Sequence, residues 1–71
     1  KEMQLLIFLI KNKNIVFTRE QLLEKVWDYE YGGETRTVDV HIKRLREKLG
    51  ENGQGWELKT IWGIGYKLEV N

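Results

Sequence analysis

The chain contains no cysteine and a single histidine, His41. Without thiols there is neither a disulfide framework nor a thiolate metal site, and one imidazole cannot build a histidine metal cluster. Packing alone must hold the fold, and no metal or cofactor is expected. Long apolar runs are also missing. The longest, LLIFLI from Leu5 to Ile10, is far short of a membrane span, and no cleavable signal opens the chain. A cytoplasmic protein with no membrane contact is therefore the expectation. An excess of one charge is lacking too, with 12 Lys/Arg against 11 Asp/Glu and a formal net charge of +1. At 71 residues the chain makes one small domain, residues 1–71, close to the lower size at which one hydrophobic core supports folding; two domains are excluded.

The balanced total hides an uneven distribution. Residues 1–34 hold five Lys/Arg against six Asp/Glu, whereas residues 36–48 hold five (Arg36, Lys43, Arg44, Arg46, Lys48) against two (Asp39, Glu47). The positive charge sits on the stretch TRTVDVHIKRLREKLG, where Val38, Ile42, Leu45 and Leu49 fall on one stripe of an amphipathic helix. The opposite side carries Arg36, Thr37, Val40, Lys43, Arg44 and Glu47, with His41 and Lys48 at its margin. Solubility alone would favour interleaved Glu and Lys there. Basic, hydroxyl and small apolar groups facing outward are instead the footprint of an element that binds a polyanion.

The rest of the chain reads as a frame for that helix. Residues 1 to about 12 form a first helix in which Met3, Leu6, Ile7 and Ile10 make one stripe and Leu5, Phe8 and Leu9 widen it, so burial on most sides is expected. No cap precedes this helix, which suggests a start inside a larger domain. In FTREQLLEKVW, Thr18 as N-cap, Gln21 as its capping-box partner and Phe17 as a staple onto Leu22 open a second helix, from Arg19 to about Trp27. Its core side is Leu22, Leu23, Val26 and Trp27, and Ile15 and Val16 before it suit a very short strand. DYEYGGE is a loop. A third helix follows from Arg36 to Leu49, with Thr35 as N-cap and Gly50 as a left-handed C-terminal cap. GENGQG has turn chemistry, and WELKTIWGIGYKLEV reads as a β-hairpin joined at Gly63-Ile64-Gly65. Trp27 and Trp56 are expected in the core or at its edge.

Three helices followed by a hairpin give a mostly α architecture with a C-terminal β-hairpin (α+β): a winged helix-turn-helix of three helices plus wing. In a helix-turn-helix the last helix enters the major groove. Arg36 and the helix-start amides then face phosphate, and Thr37, Val40 and Arg44 face base edges, with Val40 suited to a thymine methyl. Lys43 and Lys48, on the flanks, suit the phosphate walls. His41 has no candidate nucleophile or metal ligand near it in the pattern, so an enzyme is not expected. Gly63 and Gly65 lack the following helix of a phosphate-binding fingerprint, which leaves the hairpin reading.

RTVDVHIKRLREKLG, followed by TIWGIGYKLE and preceded by TREQLLEKVW, closely resembles the C-terminal effector domain of OmpR/PhoB-type response regulators over almost the whole chain. The resemblance implies sequence-specific binding of double-stranded promoter DNA, at direct repeats, in a bacterial two-component system. In that family an antiparallel sheet precedes the first helix and a phosphorylatable receiver domain precedes the sheet; neither is in this sequence. It further implies base contacts by Thr37, Val40 and Arg44, backbone contacts by Arg36, His41, Lys43, Arg46 and Lys48, and wing contacts to phosphate by Thr60, Tyr66 and Lys67. The wing itself is Trp62, Gly63, Ile64 and Gly65. Asp39 is expected to orient neighbouring basic side chains, since a carboxylate facing phosphates is repelled. The loop of Asp28, Tyr29, Glu30, Tyr31, Gly32, Gly33 and Glu34 corresponds to the segment that contacts RNA polymerase in family members, although a plain tethering loop fits equally. A receiver domain and a sensor kinase would complete the system.

One residue departs from the pattern. Many family members carry arginine before the Gly-x-Gly tip, where this chain has Trp62. Its ring has two placements open to it, along sugar and backbone or over the core edge beside Tyr66. The alternative for the whole domain is a winged-helix protein–protein interaction module, since arginine is also enriched at protein interfaces.

Overall fold

The computed structural model describes residues 1–27, 34–50 and 52–71, with the side chain of residue 52 left aside. The expected loop Asp28 to Gly33 therefore lies outside the described residues, and Glu34 is exposed. The elements are α1 (Glu2–Lys11), β1 (Phe17–Thr18), α2 (Arg19–Leu22, continuing as a π-helical turn Leu23–Trp27), α3 (Arg36–Leu49), β2 (Asn52–Gly53), β3 (Trp56–Ile61) and β4 (Gly65–Val70). The three helices and the β3/β4 hairpin make the winged helix expected from the sequence.

The hairpin is part of a four-stranded antiparallel sheet in the order β1-β4-β3-β2. Two corrections follow. The short strand before α2 is Phe17–Thr18 rather than Ile15 and Val16, because Phe17 and Thr18 pair with Tyr66 and Gly65 of β4 while Ile15 and Val16 stay exposed. Asn14 turns the chain into this position with φ +65°, its side-chain oxygen accepting from the Val70 amide at 2.8 Å. The second correction is that Asn52 and Gly53, within the expected turn, pair with Glu57 and Trp56 as β2.

The α2 start is built as its sequence dictates. The Gln21 amide donates to Thr18 Oγ1 at 3.0 Å and the Thr18 amide to Gln21 Oε1 at 2.8 Å, which meets two of the helix-start donors reciprocally. Phe17 packs edge-on to Phe8, centroids 5.0 Å apart.

The core is Leu5, Leu9, Leu22, Trp27, Val38, Ile42, Leu45, Leu58, Tyr66 and Leu68. On α1 the buried pair is Leu5 and Leu9, spaced i, i+4, whereas Met3, Ile7 and Ile10 are exposed. The expected stripe is thus rotated, and α1 is not buried on most sides. A run as uniformly apolar as LLIFLI has no polar side from which periodicity could orient it. On α3 the stripe holds for Val38, Ile42 and Leu45 but ends before Leu49, which is 48% exposed. There Leu49 borders an open apolar groove with Leu6, Ile10, Trp56, Leu68 and Val70.

Candidate nucleic-acid interface

The third helix presents to solvent the residues that its core stripe leaves over. Arg36, Lys43, Arg44 and Lys48 are exposed, Val40 is 38% exposed, and Thr37 is half-buried at the first turn. Among the described residues Arg36 and Lys43 make no ion pair. Arg44 and Lys48 both approach Glu2, at 3.8 and 2.7 Å. The Lys48 hydrogen bond foremost holds the Glu2 carboxyl below the ordinary carboxylate range. Positive charge is therefore least compensated along the first two turns of α3, at Arg36 and Lys43.

Thr35 occupies the cap position, but its hydroxyl makes no capping bond. The Thr37 and Val38 amides donate instead to the carbonyls of Glu34 and Thr35, both at 3.0 Å, closing a tight first turn. Those two amides are engaged within the chain. At the other end Gly50 has the expected positive φ, +87°, with ψ 167°, an extended rather than compact left-handed cap.

Not all the basic residues face outward. Arg46 Nη2 donates to the Leu58 carbonyl and to Thr60 Oγ1, each at 2.8 Å, and its guanidinium lies 5.8 Å from the Tyr66 ring centroid. These bonds make Arg46 a strut between α3 and β3, with its Nε buried and without a partner among the described residues. Tyr66 is equally turned inward: buried, with its hydroxyl donating to Asp39 Oδ1 at 2.6 Å. Burial first, and then the Asp39 carboxylate, push the phenol up to about 12, so it stays protonated and a donor. The other Asp39 oxygen accepts from Arg19 Nη1 at 2.9 Å. His41 Nδ1 donates to the Thr37 carbonyl at 2.8 Å and its ring meets Trp27 edge-on at 4.8 Å. With Nδ1 carrying that hydrogen, Nε2 can donate to a phosphate only when the ring is protonated.

The wing turn is Ile61-Trp62-Gly63-Ile64, closed by the Ile64 amide on the Ile61 carbonyl at 2.9 Å, with Gly63 at φ +79° where the turn needs a positive value. Gly65 belongs to β4 rather than to the tip. Trp62 is 89% exposed, which removes the placement over the core edge. Lys67 is separated from the α3 surface. It alternates with the inward Tyr66 and Leu68, so it lies on the far side of the sheet, where it pairs with Glu69 at 2.9 Å.

Thus Arg36, Thr37, Val40, Lys43 and Arg44 share one outward surface; Arg46, Thr60 and Tyr66 bind it to the wing; and Lys67 stands apart. Sequence reasoning missed Arg19, which lines a notch with Asp39, Thr60, Trp62 and Tyr66 between α2, α3 and the wing. Nothing in the spacing of 19, 39 and 66 signals their meeting. Arg46 did carry a signal, because it lies at i+4 from Ile42 and so beside the core stripe.

Among the described residues no group of three His, Cys, Asp or Glu could hold a metal ion, and no helix is long and apolar enough to cross a membrane. Residues 1–68 match the family described as "Transcriptional regulatory protein, C terminal". The chain is 56% identical over 72 residues to the transcriptional regulatory protein SrrA of Staphylococcus aureus, covering 99% of this chain and 30% of that protein. Among solved structures, the DNA-binding domain of Bacillus subtilis CssR superposes with a TM-score of 0.82 at 39% identity, over 94% of this chain and 72% of that one. The DNA-binding domain of the response regulator AdeR, in complex with an intercistronic region, gives 0.76 at 36% identity, over 96% and 67%. The chain spans under a third of the length of the curated relatives it matches, and it belongs to the C-terminal family of transcriptional regulatory proteins, the OmpR/PhoB-type winged-helix DNA-binding domains of response regulators.

Proposed function

We infer that this domain binds specific double-stranded promoter sites by inserting α3 into the major groove. The observation that carries the reading is the single outward surface of Arg36, Thr37, Val40, Lys43 and Arg44, basic and uncompensated by acids over most of its length, on a helix clamped to both the core and the wing. Thr37, Val40 and Arg44 read base edges, Arg44 as a two-pronged donor. Arg36, Lys43 and, when protonated, His41 hold phosphates; Lys48 does so in competition with Glu2. Arg46, Thr60 and Tyr66 serve the interface by shaping it. The exposed Trp62 and Ile64 give the wing contact area without charge.

The domain is non-catalytic and acts in the cytoplasm, as the effector part of a longer two-component regulator whose receiver domain and sensor kinase lie outside this chain. Direct repeats and RNA polymerase, reached through residues 28–34, are its further partners in this reading. Selection of bound sequences from a random duplex library at physiological salt tests it. Recovery of a defined motif, bound with a steep fall of affinity as salt rises, is the expected result. No enriched motif, or a protein partner held with little salt dependence, would replace it with the interaction-module reading.

A further inference from the structure

A carboxylate on the face of a DNA-reading helix needs an explanation, because it repels phosphate. Asp39 occupies such a position near the start of α3, and both of its oxygens are used inside the molecule. Oδ1 accepts from the Tyr66 hydroxyl of β4 at 2.6 Å and Oδ2 from Arg19 of α2 at 2.9 Å. Seven residues later, on the same helix, Arg46 reaches the β3 strand through Leu58 and Thr60, and its guanidinium sits over the same Tyr66 ring. The wing is thus pinned to α3 at two points about two turns apart, one anionic and one cationic, with Tyr66 between them. Both add directional bonds to the core packing of Leu58, Tyr66 and Leu68 against α3, and directional bonds at two points fix an angle more narrowly than apolar packing alone. Asp39 lies in the first turn of α3, so its bond to Tyr66 is the one of the two that ties the hairpin beside the base-facing residues.

We propose that Asp39 is a positioning residue for DNA binding: it sets the angle between α3 and the wing, so that major-groove and wing contacts form together. It touches no DNA itself. This rests on the DNA-binding reading above, and it goes further by assigning the geometry of a two-part interface to one carboxylate.

Two measurements test it, one of them without DNA. The chain has no cysteine, so Glu47→Cys and Ile64→Cys, both exposed, allow paired spin labels on α3 and the wing tip. A narrow distance distribution is expected, broadening when Asp39→Ala is added and largely restored by Asp39→Asn, whose side-chain oxygen still accepts from Tyr66. An unchanged width in Asp39→Ala would overturn the proposal whatever the DNA results. The unlabelled protein is then titrated with the duplex selected from the random library and with the same duplex cut back to the base pairs under α3. The native chain should prefer the longer duplex, and Asp39→Ala should lose about tenfold on it while binding the shorter one as before. Tyr66→Phe, which removes only the hydroxyl, should do the same and serves if Asp39→Ala folds poorly. Equal losses on both duplexes, tracking a drop in thermal stability, would mean that the network only stabilises the fold. Failure of the native chain to select any duplex would defeat the DNA reading, leaving the spin-label result to decide the positioning role.

Discussion

Helices α1 and α3 each bury one stripe in the same core, Leu5 and Leu9 on the first and Val38, Ile42 and Leu45 on the second, yet their outward sides differ completely. Outside, α1 shows Met3, Ile7 and Ile10 beside Gln4 and Lys11, and α3 shows Arg36, Lys43 and Arg44 around Val40. The inward stripes decide where the helices sit. The outward residues, which the described core does not need, decide what each helix can meet.

Breaking the inward half of the comparison should have the largest effect. Val38→Asp places an unpaired carboxylate at a fully buried site and should cost more than about 3 kcal/mol, a large part of the roughly 4–10 kcal/mol expected for a domain of this size. Denaturant titration would show it as a lost or strongly shifted transition. A normal curve would mean that the helix faces are assigned the wrong way round.

On the outward side, Arg44→Ala should cost about 1–3 kcal/mol at the preferred site and flatten the discrimination between sites. Competition titration with single-base variants measures both. The alkaline limb of stability tests next how α3 is held to β4. Tyr66 has its phenol raised to about 12 in the fold, so the stability tied to its protonated form is present below the unfolded value near 10 and lost as pH rises toward 12. Thermal melts from pH 9 to 12 should fall more steeply for the native chain than for Tyr66→Phe. Lys43→Ala should weaken all duplexes alike and reduce the salt slope by about one, because phosphate carries no sequence information. The smallest effect belongs to α1: Ile7→Lys should shift stability by no more than about 0.5 kcal/mol and leave site preference unchanged. A marked change in site preference there would mean that α1 takes part in reading DNA.

The elements that were legible from sequence each carried a local signal. Thr18 and Gln21 announce α2 by pairing three residues apart, α3 alternates apolar and charged residues at a helical period, and the hairpin shows β-branched and aromatic runs around glycine. What stayed hidden has no local signal. The orientation of α1 could not be read because its apolar run lacks a polar side. The Phe17–Thr18 strand exists only because β4 offers it a partner, and the π-helical turn at Leu23–Trp27 accompanies the burial of Trp27 against the α3 histidine. In the candidate interface, the outward residues of α3 could be listed from the period alone. The inward side of Tyr66 follows from strand alternation with Lys67, but its bond to Asp39, and the turn of Arg46 onto the Leu58 carbonyl and Thr60, depend on partners arriving from other elements. Long-range pairing of side chains leaves no periodic trace.

Gly63 and Gly65 sit two residues apart in the wing, and a genetic screen for lost DNA binding would collect both as wing lesions. They differ in kind. A side chain at Gly63 meets nothing within 4 Å and only strains a positive φ. At Gly65 a Cβ would stand 1.9 Å from the Phe17 carbonyl oxygen, so any other residue must push β1 away from β4. Alleles at position 63 would then yield a folded protein that binds less well, and alleles at position 65 would yield little soluble protein. Only a measurement of protein abundance alongside binding would keep a folding defect from being scored as a contact.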